Sequence, residues 1–254
     1  MATIFKKYLF ALGLALALAG CAKEQTKETM QADELAKKAT SYADKKKYEE
    51  ACSYLEELIA RFPDNPNISN YKIMLAELYF KDEKFEPAQI LYDHFNQFYP
   101  ADKQAEYSKY RSILSKFYQT LKTDCDQSDT EDAIKLCDEY VQNTSFKKYR
   151  KEILDIQHTC ESRLIDKEVY VFNFYVRDGK YDAARNRLKF LKDKYLANNP
   201  ALEARLLFLE CKLAQKEKDS TTVKQKLDAL TTKYPESQFT QMAQGLNTRA
   251  PFIF

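Results

Sequence analysis

Six cysteines and two histidines are the side chains in this 254-residue sequence best suited to nucleophilic, metal or covalent chemistry. Their placement separates Cys21 from the others. It closes an apolar run from Tyr8 to Leu18, which follows Lys6 and Lys7, and it is preceded directly by Leu18-Ala19-Gly20. A thiol there can carry a thioether-linked diacylglycerol, and cleavage before it leaves an amine for a third acyl chain. Several buried chains hold a protein to a membrane where one would not. Cys52, Cys137 and Cys211 fall on helical patterns and read as small buried hydrophobes. Cys125, in a polar turn, and Cys160 are the pair an oxidising compartment would bridge, although an odd number of thiols cannot all pair. His94 and His158 sit on separate helices without ligand spacing, and Cys160 is on a different helix face from His158. There is no glycine-rich phosphate loop, and acid pairs such as Glu49-Glu50 and Glu56-Glu57 read as solvated helix faces. No catalytic, metal or cofactor site is expected, and a binding array is favoured over an enzyme.

The elements that would carry such an array are written in a recurring template. Ala76, Tyr79, Phe85, Ala88, Tyr92, Phe95 and Pro100 follow one another around a polar break at Lys81-Asp82-Glu83-Lys84. The same spacing holds Ala39, Tyr42, Tyr48, Ala51, Leu55, Leu58 and Pro63. Two antiparallel helices approach closely only where a small side chain sits at the crossing, with large ones filling the space beside it. The proline then stops the second helix. Further copies are Phe172, Tyr175, Tyr181, Ala184, Leu188 and Leu191, then Cys211, Ala214, Val223, Leu227, Leu230 and Pro235. A stretched copy holds Ala133, Cys137 and Tyr140. Gly179, in the turn of the fourth copy, reads as a left-handed helix stop. This small-and-aromatic pattern resembles the tetratricopeptide repeat, of period about 34 residues. The expected fold is all-α: a tetratricopeptide-repeat superhelix of about five helical hairpins with a concave face, preceded by a signal peptide.

Residues 1–20 stand apart from that fold as a lipoprotein signal peptide, too short in its apolar run to serve as a spanning anchor. The segment around Cys21 resembles the bacterial lipobox. Ala22 follows where an aspartate would resemble an inner-membrane retention signal, so the resemblance implies a lipid-anchored protein of the outer membrane. Without Lys6 and Lys7 the 40 Lys and Arg fall to 38, matching the 38 Asp and Glu. A neutral mature chain gives no argument for nucleic acid or an anionic lipid surface. The expected organisation is a flexible tether over 21–32, repeats one to three over 33–145, repeats four and five over 146–245, and a tail over 246–254.

A narrower resemblance lies between Arg163 and Arg187, in RLIDKEVYVFNFYVRDGKYDAARNR. Lys167-Glu168, Phe174-Tyr175, Gly179, Tyr181, Ala183-Ala184 and Asn186-Arg187 stand in the places of a signature of the BamD/ComL family, lipoproteins of the outer-membrane β-barrel assembly machine. Upstream, YDHFNQFYP from Tyr92 to Pro100 and YSKYR from Tyr107 to Arg111 are similar in order and spacing. The coverage runs from the lipobox to about Phe239. Asp178-Gly179-Lys180 replaces the family's Arg-Gly-Ala, Ser112 stands where glycine is usual, and the tail RAPFIF departs from the common form.

That resemblance implies a non-catalytic scaffold on the periplasmic face of the outer membrane. Its partners would be the BamA subunit, other subunits of the machine, and unfolded barrel proteins delivered by their C-terminal signal. The N-terminal repeats would be the client-binding half, with Ile73, Glu77, Phe80, Tyr107, Tyr110 and Ile113 lining a partly apolar groove for an extended segment; simple packing is the alternative for each. The C-terminal repeats would be the BamA-binding half, with Glu168 and Arg187 as polar contacts. The alternative for those two is an ion pair between adjacent helices. A rival function is that of another outer-membrane repeat lipoprotein, supporting pilus secretin assembly or envelope constriction, which would lack the Arg163–Arg187 signature.

Overall fold

A computed structural model of the chain describes residues 26–122 and 125–248. Cys21, the signal peptide and most of the tail lie outside the described residues. Among those described there are eleven α-helices and no strand. In order they are α1 (Ala32–Asp44), α2 (Tyr48–Arg61), α3 (Ile68–Lys81), α4 (Phe85–Phe98), α5 (Ala105–Gln119), α6 (Ser128–Gln142), α7 (Arg150–Arg177), α8 (Tyr181–Leu191), α9 (Leu202–Lys216), α10 (Ser220–Lys233) and α11 (Gln238–Thr248). Sequence neighbours pack together, α1 on α2, α3 on α4, α7 on α8 and α9 on α10, as a repeat of helical hairpins requires.

The chain forms two compact units, divided between Ser112 and Ile113 and so inside α5. In the first unit the template side chains fill the helix crossings: Ala39, Ala51, Ala76, Ala88, Leu55, Leu58, Tyr92 and Phe95 are all at or below 1% exposed. In the second, Ala133, Cys137, Tyr140, Phe172, Ala184, Leu191, Cys211 and Leu230 do the same. Val223 and Leu227 of the weaker copy are only partly buried against this core. The terminal helix α11 closes it, with Ala243 buried and the Thr240 hydroxyl donating to the Tyr234 carbonyl at 2.6 Å.

Four hairpins turn in the same way. At the end of α1 the Lys47 amide donates to the Tyr42 carbonyl and the Lys46 amide to that of Ala43, the paired bonds of a Schellman cap. Lys84 and Glu83 repeat this on Tyr79 and Phe80, Lys180 and Gly179 on Tyr175 and Val176, and Asp219 and Lys218 on Ala214 and Gln215. The left-handed residue is Gly179 at φ 72° in one turn, but Lys46, Glu83 and Lys218 at 58°, 58° and 62° in the others. The residue after it then accepts the first amide bond of the next helix, as Lys47 does from Ala51 and Lys84 from Ala88. At the far ends, α2, α4 and α10 stop on Phe62, Tyr99 and Tyr234, each directly before a proline that disfavours the helical conformation.

Two segments differ from expectation. The end of the supposed tether is docked: Lys27–Thr29 form a 3-10 turn and Met30 is buried against Leu35 and Leu58. The Lys27 carbonyl accepts from Arg61 Nη1 at 2.8 Å, and its ammonium lies 4.4 Å from the Tyr54 ring centre. A buried methionine and a bonded carbonyl supply what a free linker lacks. In addition, Cys160 is a free thiol at 0% exposure on α7, while Cys125 is exposed on its turn, so the bridge between them is not made. Burial raises the Cys160 thiol to about 11, which keeps it protonated and inert.

Candidate binding surfaces

In the first unit, Glu77 on α3 is the centre of a polar cluster. Arg111 on α5 meets its carboxylate with two prongs, Nη2 to Oε2 and Nε to Oε1, each at 2.9 Å. The Tyr107 hydroxyl donates to Oε1 at 2.6 Å, and the hydroxyl of Tyr92, whose ring is buried on α4, donates to the same oxygen. Burial, and then the Glu77 carboxylate, push the Tyr92 phenol above its ordinary pKa, so it remains a donor. The Arg111 guanidinium also lies 3.6 Å from the centre of the Phe80 ring, within the range of a cation–π contact.

This geometry sorts the six residues expected in a client groove. Glu77, Phe80 and Tyr107 are brought together around Arg111 and remain partly accessible, and Tyr110 is half-buried on the same helix. Ile73 instead packs at 6% exposure with Ala76, Ala88, Tyr92 and Phe95, and Ile113 is fully buried. Those two offer a ligand no useful surface, because their spacing places them on the inner side of their helices. Arg111, the last residue of YSKYR, organises the cluster. Its spacing from Tyr107, four residues and hence one helix face, was the available signal. Ser112, in the place where glycine is usual in the resembling family, is buried and donates to Asp93 Oδ1 at 2.6 Å.

In the second unit, Arg187 Nη1 donates to Glu168 Oε2 at 3.2 Å, tying α8 to α7. The arginine side chain is 39% exposed and the glutamate 18%, so the pair is accessible from the arginine side. The same long helix is tied to α9 by Arg205 to Asp166 at 2.6 Å and Lys212 to Asn173 at 2.8 Å. Among the described residues no group of His, Cys, Asp and Glu could hold a metal ion. No described helix is long and apolar enough to cross a membrane.

A family model described as YfiO, an outer membrane lipoprotein, matches residues 28–219 of this chain. The chain belongs to the YfiO outer membrane lipoprotein family. A second model, the prokaryotic membrane lipoprotein lipid attachment site, matches residues 6–22 of this YfiO-family protein and so includes Cys21. A relative from Neisseria meningitidis serogroup B, named outer membrane protein assembly factor BamD, is 27% identical over 256 residues, spanning 92% of this chain and 93% of the relative. Relatives of the same name from Neisseria gonorrhoeae and Caulobacter vibrioides are 25% and 23% identical, covering 92% and 80% of this chain and 93% and 68% of their own. A solved structure from the functional characterization of Pseudomonas aeruginosa pilF overlaps 84% of this chain and 96% of its own at 16% identity. Its TM-score of 0.34 is too low to bear on function.

Proposed function

We propose that this lipoprotein is a non-catalytic subunit of the outer-membrane β-barrel assembly machine, anchored through Cys21 and facing the periplasm. The observation that carries this reading is the family match together with relatives named assembly factor over nearly the whole chain. The N-terminal half, 33–145, receives unfolded barrel proteins, and the 146–245 half holds BamA. In the first, Phe80, Tyr107 and Tyr110 present aromatic surface to an extended client segment, while the Glu77–Arg111 cluster fixes their positions. Support comes from the geometry, since the rings are partly exposed around a charge that is already satisfied.

Arg187 and Glu168 form the polar contact to BamA. A guanidinium 39% exposed can keep one prong on Glu168 and offer another to an acidic group of the partner. Capture of BamA by the membrane-extracted protein tests the function, and failure to recover it would refute it. Arg187→Leu and Arg187→Lys test the contact, because lysine cannot copy a two-pronged contact. Both should weaken capture while the thermal midpoint moves little, as an exposed pair contributes about 0–1 kcal/mol to the fold. Undiminished capture by both variants would leave the residue as an internal tie between α7 and α8.

A further inference from the structure

One face of α7 carries Arg163, Lys167, Tyr170, Phe174 and Arg177. These positions step by four, three, four and three, so they run along a single side of the helix for about 21 Å. Tyr170 and Phe174 are 54% and 44% exposed, large values for aromatic rings in the middle of a helix that is packed on its other sides. Beside them α9 supplies Lys212 and Lys216, and Tyr170, Asn173, Phe174, Arg177, Lys212 and Lys216 border a groove of about 550 Å³.

The charges of this groove are out of balance. Several cations of the second unit meet carboxylates, as Arg205 meets Asp166 at 2.6 Å, Lys226 meets Glu210 at 2.9 Å and Lys233 meets Glu203 at 3.1 Å. Lys212 instead donates to a neutral amide, Asn173 Oδ1, at 2.8 Å. Among the described residues no ion pair joins Lys212, Lys216 or Arg177 to a carboxylate, and Asp178, the acid beside Arg177, is bonded to Lys180 at 2.7 Å. Burial, and then the neighbouring Lys216, hold the Lys212 ammonium below the ordinary lysine pKa. Incoming carboxylates would relieve that repulsion. The exposed rings lie in the same place and have cations beside them, Lys167 5.8 Å from the Tyr170 centre and Arg177 5.6 Å from that of Phe174.

We propose that this groove binds an extended acidic segment of a partner protein, its carboxylates meeting Lys212, Lys216 and Arg177 and an apolar side chain lying on Tyr170 and Phe174. Charge complementarity selects the occupant, because the cationic side chains that α7 and α9 turn to the groove, Arg177, Lys212 and Lys216, stand beside exposed rings and match alternating acidic and apolar side chains. A groove between helices fits a single chain better than a flat lipid surface. The site is separate from the proposed BamA contact, since neither Glu168 nor Arg187 borders the groove.

The test uses the full-length protein in detergent and a fluorescein-labelled peptide alternating aspartate or glutamate with phenylalanine, followed by anisotropy. The control peptide has lysine in place of each acid. The acidic peptide should bind, and more weakly as salt is raised. Lys216→Glu and Phe174→Ser, both at exposed positions, should each weaken it about tenfold or more with far-UV spectra and thermal midpoints unchanged. Arg187→Leu should bind it like the parent, which distinguishes failure here from failure of the BamA contact. Any of four results would overturn the proposal: no binding of the acidic peptide, equal binding of the lysine peptide, unaltered binding by both groove variants, or capture of anionic phospholipid vesicles that the peptide does not displace.

Discussion

Glu77 accepts from Arg111, Tyr92 and Tyr107 at once, and this sets what each of the four residues can do. A carboxylate with both oxygens occupied is a poor acceptor for an incoming chain, so the surface it supports offers rings rather than charge. Arg111 is the residue that cannot be exchanged, because only a planar fork can meet both carboxylate oxygens and lie over Phe80 as well. Arg111→Lys should therefore lower stability by about 1.5–3 kcal/mol in urea unfolding, the range for losing a hydrogen bond to a charged group. A loss no larger than that of an exposed ion pair would mean the fork is not maintained in solution. Repeat position placed Glu77, Phe80 and Tyr107 near one another in the sequence, but nothing local shows that Arg111, 34 residues on, would satisfy the acid. Ile73 and Ile113 were misplaced for a related reason. Membership of the first helix of a hairpin does not say which side of that helix a residue occupies, and both face inward.

Helix ends carry the repeat as faithfully as helix faces. Gly179 declared its left-handed turn in the sequence, but Lys46, Glu83 and Lys218 adopt the same conformation without the residue type that signals it. A left-handed non-glycine residue costs roughly 1–2 kcal/mol, and the Schellman bonds outweigh it in three turns. Glu83→Gly should consequently stabilise the first unit by up to about 1 kcal/mol, less whatever glycine gains in the unfolded chain. Gly179→Ala should destabilise the second by about 1 kcal/mol; an added Cβ there meets nothing within 4 Å, so the loss comes from the backbone alone. Opposite signs in chemical unfolding check both, and a neutral Gly179→Ala would show that the turn relaxes. Ala88, fully buried where α3 and α4 pack, is the complementary case. Ala88→Leu should cost about 1–3 kcal/mol through overpacking, and an unchanged melting curve would place Ala88 away from the crossing. One end that the proline spacing does not anticipate is that of α8. Twelve residues beyond Ala51 and Ala88 stand Pro63 and Pro100, but twelve beyond Ala184 stands Leu196. With no proline to stop it, the helix runs on through a π turn at Lys192–Leu196.

For the molecule as a whole, attachment to a membrane is read from the N-terminal lipid attachment match. No described helix is long and apolar enough to cross a bilayer, and the exposed apolar side chains of the helices, such as Ile90, Phe98, Tyr170 and Phe174, are scattered. The lipid attachment match over residues 6–22 supplies the alternative at Cys21. Each buried methylene contributes about 0.8 kcal/mol, so two or three acyl chains exceed anything that scattered surface aromatics could provide. Cys21→Ala should leave either an uncleaved precursor, still held by its apolar leader, or a chain released into the soluble fraction. Mass spectrometry of the N-terminal peptide separates the two, and the parent protein should carry acyl mass on residue 21. Because the repeats fold without the anchor in this reading, the circular dichroism and melting of the released form should match those of the parent. Outer-membrane fractionation that persists in Cys21→Ala, in a chain lacking both leader and acyl mass, would transfer the membrane attachment to the folded surface and remove the lipid from the account.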